Sequence, residues 1–558
     1  MNKCEVLSGI AKSKSGEAFF RRSRIARAIG WSLLAVSIVP AAQALEIDVG
    51  NPDVKVNWDN TVKYSAGWRL KDPSAVLVAS PNADDGNRNF KKGLMSNRVD
   101  LFSEFDLSYQ QIGFRVSGAA WYDQIYHDST RHDSPMTGNA SSVASNQFTG
   151  ATVNLMGGMG ELLDAFIYAK GDIGGTPASI RVGKHSLLYG ESLFFGMNGI
   201  AGGQSPSDLN KLLGVPNSQF KELIRPQQQV SGQLQIRPNL AFGAYYQLGW
   251  ERNRIPAVGS YFSTVDVLDA GGEQLLAGPP GVVFLRQEDM TPRSSGQGGF
   301  QLRFQPEGQQ TEYGLYAIQF HAKNPISYLR PSGGFPTLGT YQLVFPEDIR
   351  AFGGSASTNF GDTNFGAEVS VRNNMPLVPK GGSVLVLPGQ VADNGNNPAY
   401  PVGKTAHAQV SWVTPLNRSG MYDGGIFMGE LAWNRLLSID RNESLLDPNA
   451  TRDASAVRVL FQPSWYQVFP GVDLNLPVGL GYGINGNSSA MHPGFSTPQG
   501  GDFSIGISGT YQQKWNFSLN YRHFFGPEAN NLKSDNSFSY GQSMTDRDSV
   551  TLSVFTTF

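Results

Sequence analysis

Cysteine is all but missing from this chain: one residue, Cys4, in 558. A chain that loses it on export needs no disulfide chemistry and offers neither a thiolate metal ligand nor a thiol nucleophile. Charge is sparse, at 16% of residues, and no stretch reaches the roughly 18–20 uninterrupted apolar residues of a spanning helix. A mean hydropathy of -0.26 is likewise too polar for a bundle of membrane helices. The longest apolar run lies in "RRSRIARAIGWSLLAVSIVPAAQALE", where arginines precede it and Ala42-Gln43-Ala44 follows. This is the layout of a cleaved export signal over 1–44, ending after Ala44. Arg21 and Arg22 touch on the pattern of the route for folded proteins, but their surroundings fit it poorly. Residues 1–44 hold seven basic and two acidic side chains. Of the chain's 44 basic and 46 acidic residues, 37 and 44 therefore remain, net about -7. That sign is wrong for a nucleic-acid partner.

What the chain has is alternation. In "VKVNWDNTVKYSAGWRL", residues 54–70, Val54, Val56, Trp58, Val62, Tyr64, Ala66, Trp68 and Leu70 share one face, and Lys55, Asn57, Asp59, Thr61, Lys63, Ser65 and Arg69 share the other. Side chains in a strand alternate with period two, so this is one long strand with a greasy and a wet side. At about 3.3 Å per residue and a tilt near 40°, Trp58 and Trp68 stand roughly 25 Å apart along the membrane normal, the height of a lipid-facing barrel band. The same signal recurs near 98–109, 114–126, 162–172, 178–186, 229–237, 240–250, 297–305, 311–321, 347–357, 363–373, 403–414, 424–436, 454–466, 472–483, 501–511, 515–525 and 548–558. Short turns such as "GGTP" and "PN" alternate with long polar loops, as in bacterial barrels. The pattern predicts an all-β, transmembrane, outer-membrane antiparallel β-barrel of about 18 strands over 45–558. A soluble β-sandwich would need two inner faces and shorter strands.

The final strand, "DSVTLSVFTTF", carries nothing to blunt an edge. Barrel closure removes that edge by pairing it with the first strand. Terminal Phe558 on its lipid face resembles an insertion signal read by the barrel assembly machinery.

The wet faces predict a hydrated lumen. Candidate wall residues are Lys63, Arg69, Arg98, Asp100, Glu104, Arg115, Arg181 and His185; most are expected to neutralise neighbouring ladders, and a minority to set solute preference. The third long loop, 187–228, contains two helix starts, Ser205-Pro206 with Asp208, and Asn217 before "SQFKELI". Helices rich in Leu, Phe and Ile are wasted at a solvated tip. The loop is therefore expected to fold inward and narrow the pore, with Glu191, Asp208, Lys211, Lys221, Glu222 and Arg225 facing the passage. A cap packed outside on neighbouring loops is the alternative. The stretch 45–53 is too short for the N-terminal plug of an energy-coupled receptor, so a gate must come from a loop.

Catalysis finds no support. Histidines 127, 132, 185, 321, 407, 492 and 523 show neither metal-ligand spacing nor a triad interval. "PNADDGNRN" offers Asp84 and Asp85 to calcium but lacks the spaced ligands of a calcium loop, and a solvated loop is the plainer reading. No cofactor, metal or enzymatic role is expected. His523 falls on the lipid face, which places it at the membrane interface or implies a slipped register.

Two blocks, "NRVDLFSEFDLSYQQIGFRVSGAAWYDQIY" (97–126) and the stretch from "RVGKHSLLYGES" to "GSYFS" (181–263), resemble the proteobacterial family known as domain-of-unknown-function thirteen-oh-two. Where that family often has Trp, this chain has Tyr189. The resemblance implies an outer-membrane barrel embedded among lipid and lipopolysaccharide in a Gram-negative envelope. It also implies a periplasmic lipid-carrier-like protein and an inner-membrane resistance-nodulation-division-type exporter as partners, and transport of an apolar small molecule or lipid. A general or specific porin for polar or anionic solutes, and a non-transporting assembly or adhesion barrel, are the other readings of the residues.

Overall fold

The computed structural model describes residues 45–490, 495 and 497–558. The expected export signal 1–44 and His492 lie outside the described residues. One antiparallel sheet contains, among them, eighteen staves and two short pieces. The staves are β1 (Val54–Arg69), β2 (Gly93–Tyr109), β3 (Ile112–Asp123), β4 (Gly158–Ile173), β5 (Thr176–His185), β6 (Gln227–Arg237), β7 (Leu240–Gln247), β8 (Gln297–Phe304), β9 (Glu312–Phe320), β10 (Ile349–Phe360), β11 (Thr363–Pro376), β12 (Val402–Pro415), β13 (Gly424–Arg441), β14 (Asp453–Phe469), β15 (Val478–Asn485), β16 (Gly501–Tyr511), β17 (Trp515–Phe525) and β18 (Ser549–Thr557). Each pairs with the next, and β18 pairs with β1 from Thr557–Thr61 to Ser549–Arg69, which closes the barrel. Asn60 and Phe558 exchange backbone hydrogen bonds of 2.7 and 2.9 Å beyond that pair. Below them, Leu45–Glu46 adds a short rung against Trp58 and Asn57. Val472–Asn475 continues the lane of β15; between the two, Pro477 has no N–H to give to a ladder and splits the stave.

Alternation decides which way each residue faces. On β1, Trp58, Val62, Tyr64 and Trp68 are exposed outward, whereas Lys63, Ser65 and Arg69 are buried inward. The inversion is general: exposed large apolar residues such as Leu101, Ile167, Phe300, Val369, Leu431 and Leu519 line the outside. In lipid this is burial, and closure gives the first and last staves partners for the backbone groups that an open edge would leave bare. Phe558 ends the outward row, and Phe555 faces inward opposite Lys63.

Eight connections are short, from 110–111 to 512–514, and nine are long. The short set marks the periplasmic end. The long loops are L1 (70–92), L2 (124–157), L3 (186–226), L4 (248–296), L5 (321–348), L6 (377–401), L7 (442–452), L8 (486–500) and L9 (526–548). All eighteen staves stand where the alternation predicts them. Their outer ends differ: β2 starts at Gly93 and β13 runs to Arg441, because beyond the bilayer both faces meet protein or water and the period-two signal fades. L4, L5 and L6 also build an unpredicted five-stranded sheet, in the order Ser383–Leu385, Ile326–Pro331, Thr337–Val344, Val283–Arg286, Gln274–Leu276. It buries Tyr328, Tyr341, Leu343 and Val344 completely. The register through His523 holds. Its Nδ1 lies 2.8 Å from Asp548 at the outer end of β17, the interfacial position that reconciles a histidine with the lipid face.

Leu519 faces outward between Ile507 and Leu552. Leu519→Arg should destabilise the barrel in phospholipid vesicles by about 2–4 kcal/mol, read from denaturant titration. Arginine at outward Tyr511, near the periplasmic interface, should cost at most about 1 kcal/mol.

Candidate functional site

L3 lies inside the barrel, and its backbone is held by inward-facing wall side chains. The first half, 186–204, is a compact turn. Glu430 of β13, fully buried, accepts the N–H groups of Leu193 (3.2 Å), Phe194 and Phe195 (2.6 Å). Glu368 of β11 accepts those of Glu191 (2.9 Å) and Ile200. Arg372, also on β11, donates to the carbonyls of Met197, Asn198 and Gly199 at 2.7–3.0 Å. Asn198 in turn is hydrogen-bonded to His407 Nδ1 at 2.9 Å. Carboxylates thus meet amide hydrogens and a guanidinium meets carbonyls, charge-assisted bonds of about 1.5–3 kcal/mol each. Gly190, at φ +95°, is needed here: a Cβ would stand 2.0 Å from a Glu368 oxygen. Tyr189 fixes the entry, buried edge-to-face on Tyr245 with ring centroids 5.5 Å apart and close to Tyr316.

The second half, 205–226, contains both helices, α1 (Leu209–Gly214) and α2 (Phe220–Leu223). Their N-caps, Asp208 and Gln219, fall three and two residues later than the expected Ser205 and Asn217. Asp208 caps α1 through the Lys211 N–H at 3.0 Å, and Glu222 accepts the Gln219 N–H at 3.0 Å to cap α2. This half reaches the opposite wall. Arg522 donates to the Leu213 carbonyl (2.9 Å), Lys63 to that of Pro216 (3.2 Å), and Asn217 to Ser518 and Ser553 (2.8 and 2.7 Å). The loop therefore touches β1, β4, β11, β12, β13, β17 and β18.

The six residues expected to face the passage divide. Asp208, Lys211 and Glu222 are buried and do not face open water. Lys211 sits between Glu161 of β4 (3.1 Å) and Glu222 (3.4 Å), over the Trp121 ring at 4.6 Å. Arg254 of L4 bridges Glu161 and Asp208 at 2.7 and 3.1 Å. Charges so placed neutralise one another and fasten the loop, which is why they turn from the lumen. Glu191, Lys221 and Arg225 are half-buried, paired with Arg303 (3.0 Å), Glu104 and Glu251.

The wall candidates divide as well. Arg69 belongs to the outer loops, donating to the carbonyls of Asn87 (3.0 Å) and Phe90 (2.7 Å) and pairing with Asp546 at 2.9 Å. Arg98 and Asp100 pair at 2.7 Å under L3, and His185 is buried with Nε2 2.7 Å from Ser231 Oγ. None of the three is hydrated: all are buried, Arg98 beside the L3 residues Asp208 and Lys211 and His185 among wall side chains. Arg115, held by Asp106 at 2.8 Å, and Arg181, beside the Phe166 ring, lie in the periplasmic half. There inward Lys55, Asn57, Arg181 and Gln233 are exposed. The lumen is thus filled above and open below. The holding roles of Glu368 and Glu430 escape sequence reasoning, since an inward carboxylate in a strand looks the same whether it meets water or a loop.

A closed eighteen-stave barrel with an apolar skin crosses membranes by strands, and this is the architecture of the bacterial outer membrane. The protein is an outer-membrane β-barrel. More particularly, the chain belongs to the family described as protein of unknown function DUF1302, whose model matches residues 25–558. No curated protein matches it in sequence. Similar solved structures include OccAB4 of Acinetobacter baumannii, at 10% identity, covering 92% of this chain and 99% of that one with a TM-score of 0.40. OpdK of Pseudomonas aeruginosa, solved with vanillate, shows 10% identity, 90% and 98% coverage and a TM-score of 0.38. A BenF-like porin from Pseudomonas fluorescens Pf-5 shows 11% identity, 91% and 98% coverage and a TM-score of 0.41.

L5 also fastens L3: Lys323, almost wholly buried, donates to the Gly203 carbonyl at 3.2 Å. Burial lowers its pKa to about 7. The unfolded chain then binds a proton that the folded one refuses between about pH 7 and the ordinary lysine range, so stability falls as pH drops through that window and levels off below pH 7. Lys323→Met should raise the thermal midpoint of the detergent-solubilised barrel more at pH 6 than at pH 9. An equal change at both would contradict the assignment.

Proposed function

We propose that this barrel passes small, predominantly apolar, lipid-like solutes across the outer membrane through a lumen gated by L3. The observation that carries the reading is apolar surface on a segment enclosed by the wall. Leu193, Leu212 and Phe220 of L3 are 41%, 53% and 63% exposed. Inside a barrel such surface faces the water of the passage, where it is unfavourable unless an apolar solute covers it. The wall charges that would attract a polar solute are mostly spent in local pairs or on the L3 backbone. A polar or anionic solute is the second reading, favoured by Arg115 and Arg181 in the open periplasmic half. Coupling to a periplasmic lipid-carrier-like protein and an inner-membrane resistance-nodulation-division-type exporter belongs to the same proposal, as does insertion directed by Phe558.

Opening requires the Glu430 and Glu368 bonds to release the 190–200 turn. Deleting residues 200–224, or substituting Glu430→Ala together with Glu368→Ala, should raise single-channel conductance in planar bilayers. Liposomes carrying the parent barrel should take up a fluorescent sterol or fatty acid faster than empty ones, and the deletion should speed uptake further. Unchanged conductance in a folded variant, or faster uptake of organic anions alone, would refute the apolar gate.

A further inference from the structure

Outside the membrane, the short helix Asp85–Arg88 of L1 meets L2 and L4, and what meets there is mostly carboxylate. Asp84, Asp85 and His132 are all buried, and one potential ligand atom from each lies within 4.8 Å of the others. Asp266 of L4, completely buried, joins them: one of its oxygens accepts the Asp85 N–H at 3.0 Å. Asn139 of L2, also completely buried, donates its backbone N–H to Asp85 at 3.2 Å. Gly86 permits the approach of L4, since a Cβ would stand 2.6 Å and 2.7 Å from the carbonyls of Ser263 and Ser260. The sequence reading of a solvated loop fails here because three loops distant in sequence bury it.

The oxygens outnumber the donors. One oxygen each of Asp84, Asp266 and Asn139 is buried with no hydrogen-bond partner. Three carboxylates face one guanidinium, that of Arg88, which bonds Asp84 and is shared with Asp133. His132 adds no charge: its Nδ1 accepts the Ser134 N–H at 3.3 Å, so Nε2 carries the proton and donates to Asp85 at 2.9 Å. The excess is two negative charges in a dry pocket, which is costly unless compensated. Burial, and then the proximity of Asp85, push the Asp266 carboxyl well above the usual carboxylate range, and burial raises Asp84 too.

We propose that Asp84, Asp85, Asp266 and the Asn139 side-chain oxygen form a site for a hard divalent cation of the calcium type, which clamps L1, L2 and L4 together on the outer surface. Oxygen donors of this kind suit calcium, whose bonds of about 2.3–2.6 Å and flexible coordination fit atoms up to twice that distance apart. Two positive charges cancel the excess. The clamp ties three long loops that share no barrel stave, and so acts on the outer mouth rather than on the L3 gate.

The test is calorimetric titration of the detergent-solubilised full barrel, stripped with chelator, using calcium chloride, magnesium chloride and zinc chloride separately. One calcium per chain should bind, more tightly than magnesium, and protect L1, L2 and L4 from limited proteolysis. Asp266→Asn and Asp84→Asn should each weaken calcium binding about tenfold or more while the barrel keeps its heat-modifiable gel mobility. Absence of calcium binding to the folded parent barrel overturns the proposal. So does calcium binding undiminished in Asp266→Asn, or zinc binding lost in His132→Ala without any for calcium.

Discussion

Hydrocarbon cannot hydrogen-bond, and this one constraint organises the molecule. Each N–H and C=O that crosses the bilayer must find its partner within the protein, at a cost of several kcal/mol if it does not. A strand satisfies its neighbours only when it has two, so the chain must return on itself; β18 lying along β1, and the reciprocal bonds of Asn60 with Phe558, are the fulfilment of that rule. Side-chain alternation follows. Once closure fixes one face against lipid, Trp58, Tyr64 and Trp68 are free to be large and apolar, and Lys63, Ser65 and Arg69 are forced inward.

The same rule, applied to a loop, explains the lumen. L3 has only isolated bridges, Ser207 to Ile224 and Asp208 to Arg254 of L4, yet much of its backbone is removed from water. The wall supplies the missing partners as side chains: Glu430 and Glu368 for amide hydrogens, Arg372 for carbonyls, Lys63, Arg522, Ser518 and Ser553 for the far half. Buried charge is normally a liability. Here it is spent on an irregular segment that no sheet could accommodate, and the barrel gains a plug without an extra domain.

The barrel was legible in the sequence because lipid enforces a strict period on every stave. Even β7 and β8, eight residues each, kept it. The loops were not legible in the same way. The sheet shared by L4, L5 and L6 pairs segments more than fifty residues apart, Val283–Arg286 with Thr337–Val344 and Ile326–Pro331 with Ser383–Leu385, and leaves no periodic trace. Charged residues were the hardest to place. Lys211 and Lys221 read alike in sequence, yet one is sandwiched between two glutamates on an indole and the other is half-exposed. Likewise Asp84 and Asp85 look like a solvated turn until Asp266, some 180 positions away, lands on them.

The described residues contain no cysteine, so a pair of thiols can report on the plug without interference. Asn217, at the tip of the second half of L3, is hydrogen-bonded to Ser553 on the inner face of the last stave. With Asn217→Cys and Ser553→Cys combined, a short bifunctional thiol reagent added to outer membranes should link the two in nearly every folded barrel and lock L3 against the wall. If the pair fails to link while Ser553→Cys alone reacts freely with a bulky water-soluble maleimide, the loop does not occupy the lumen and the account is wrong.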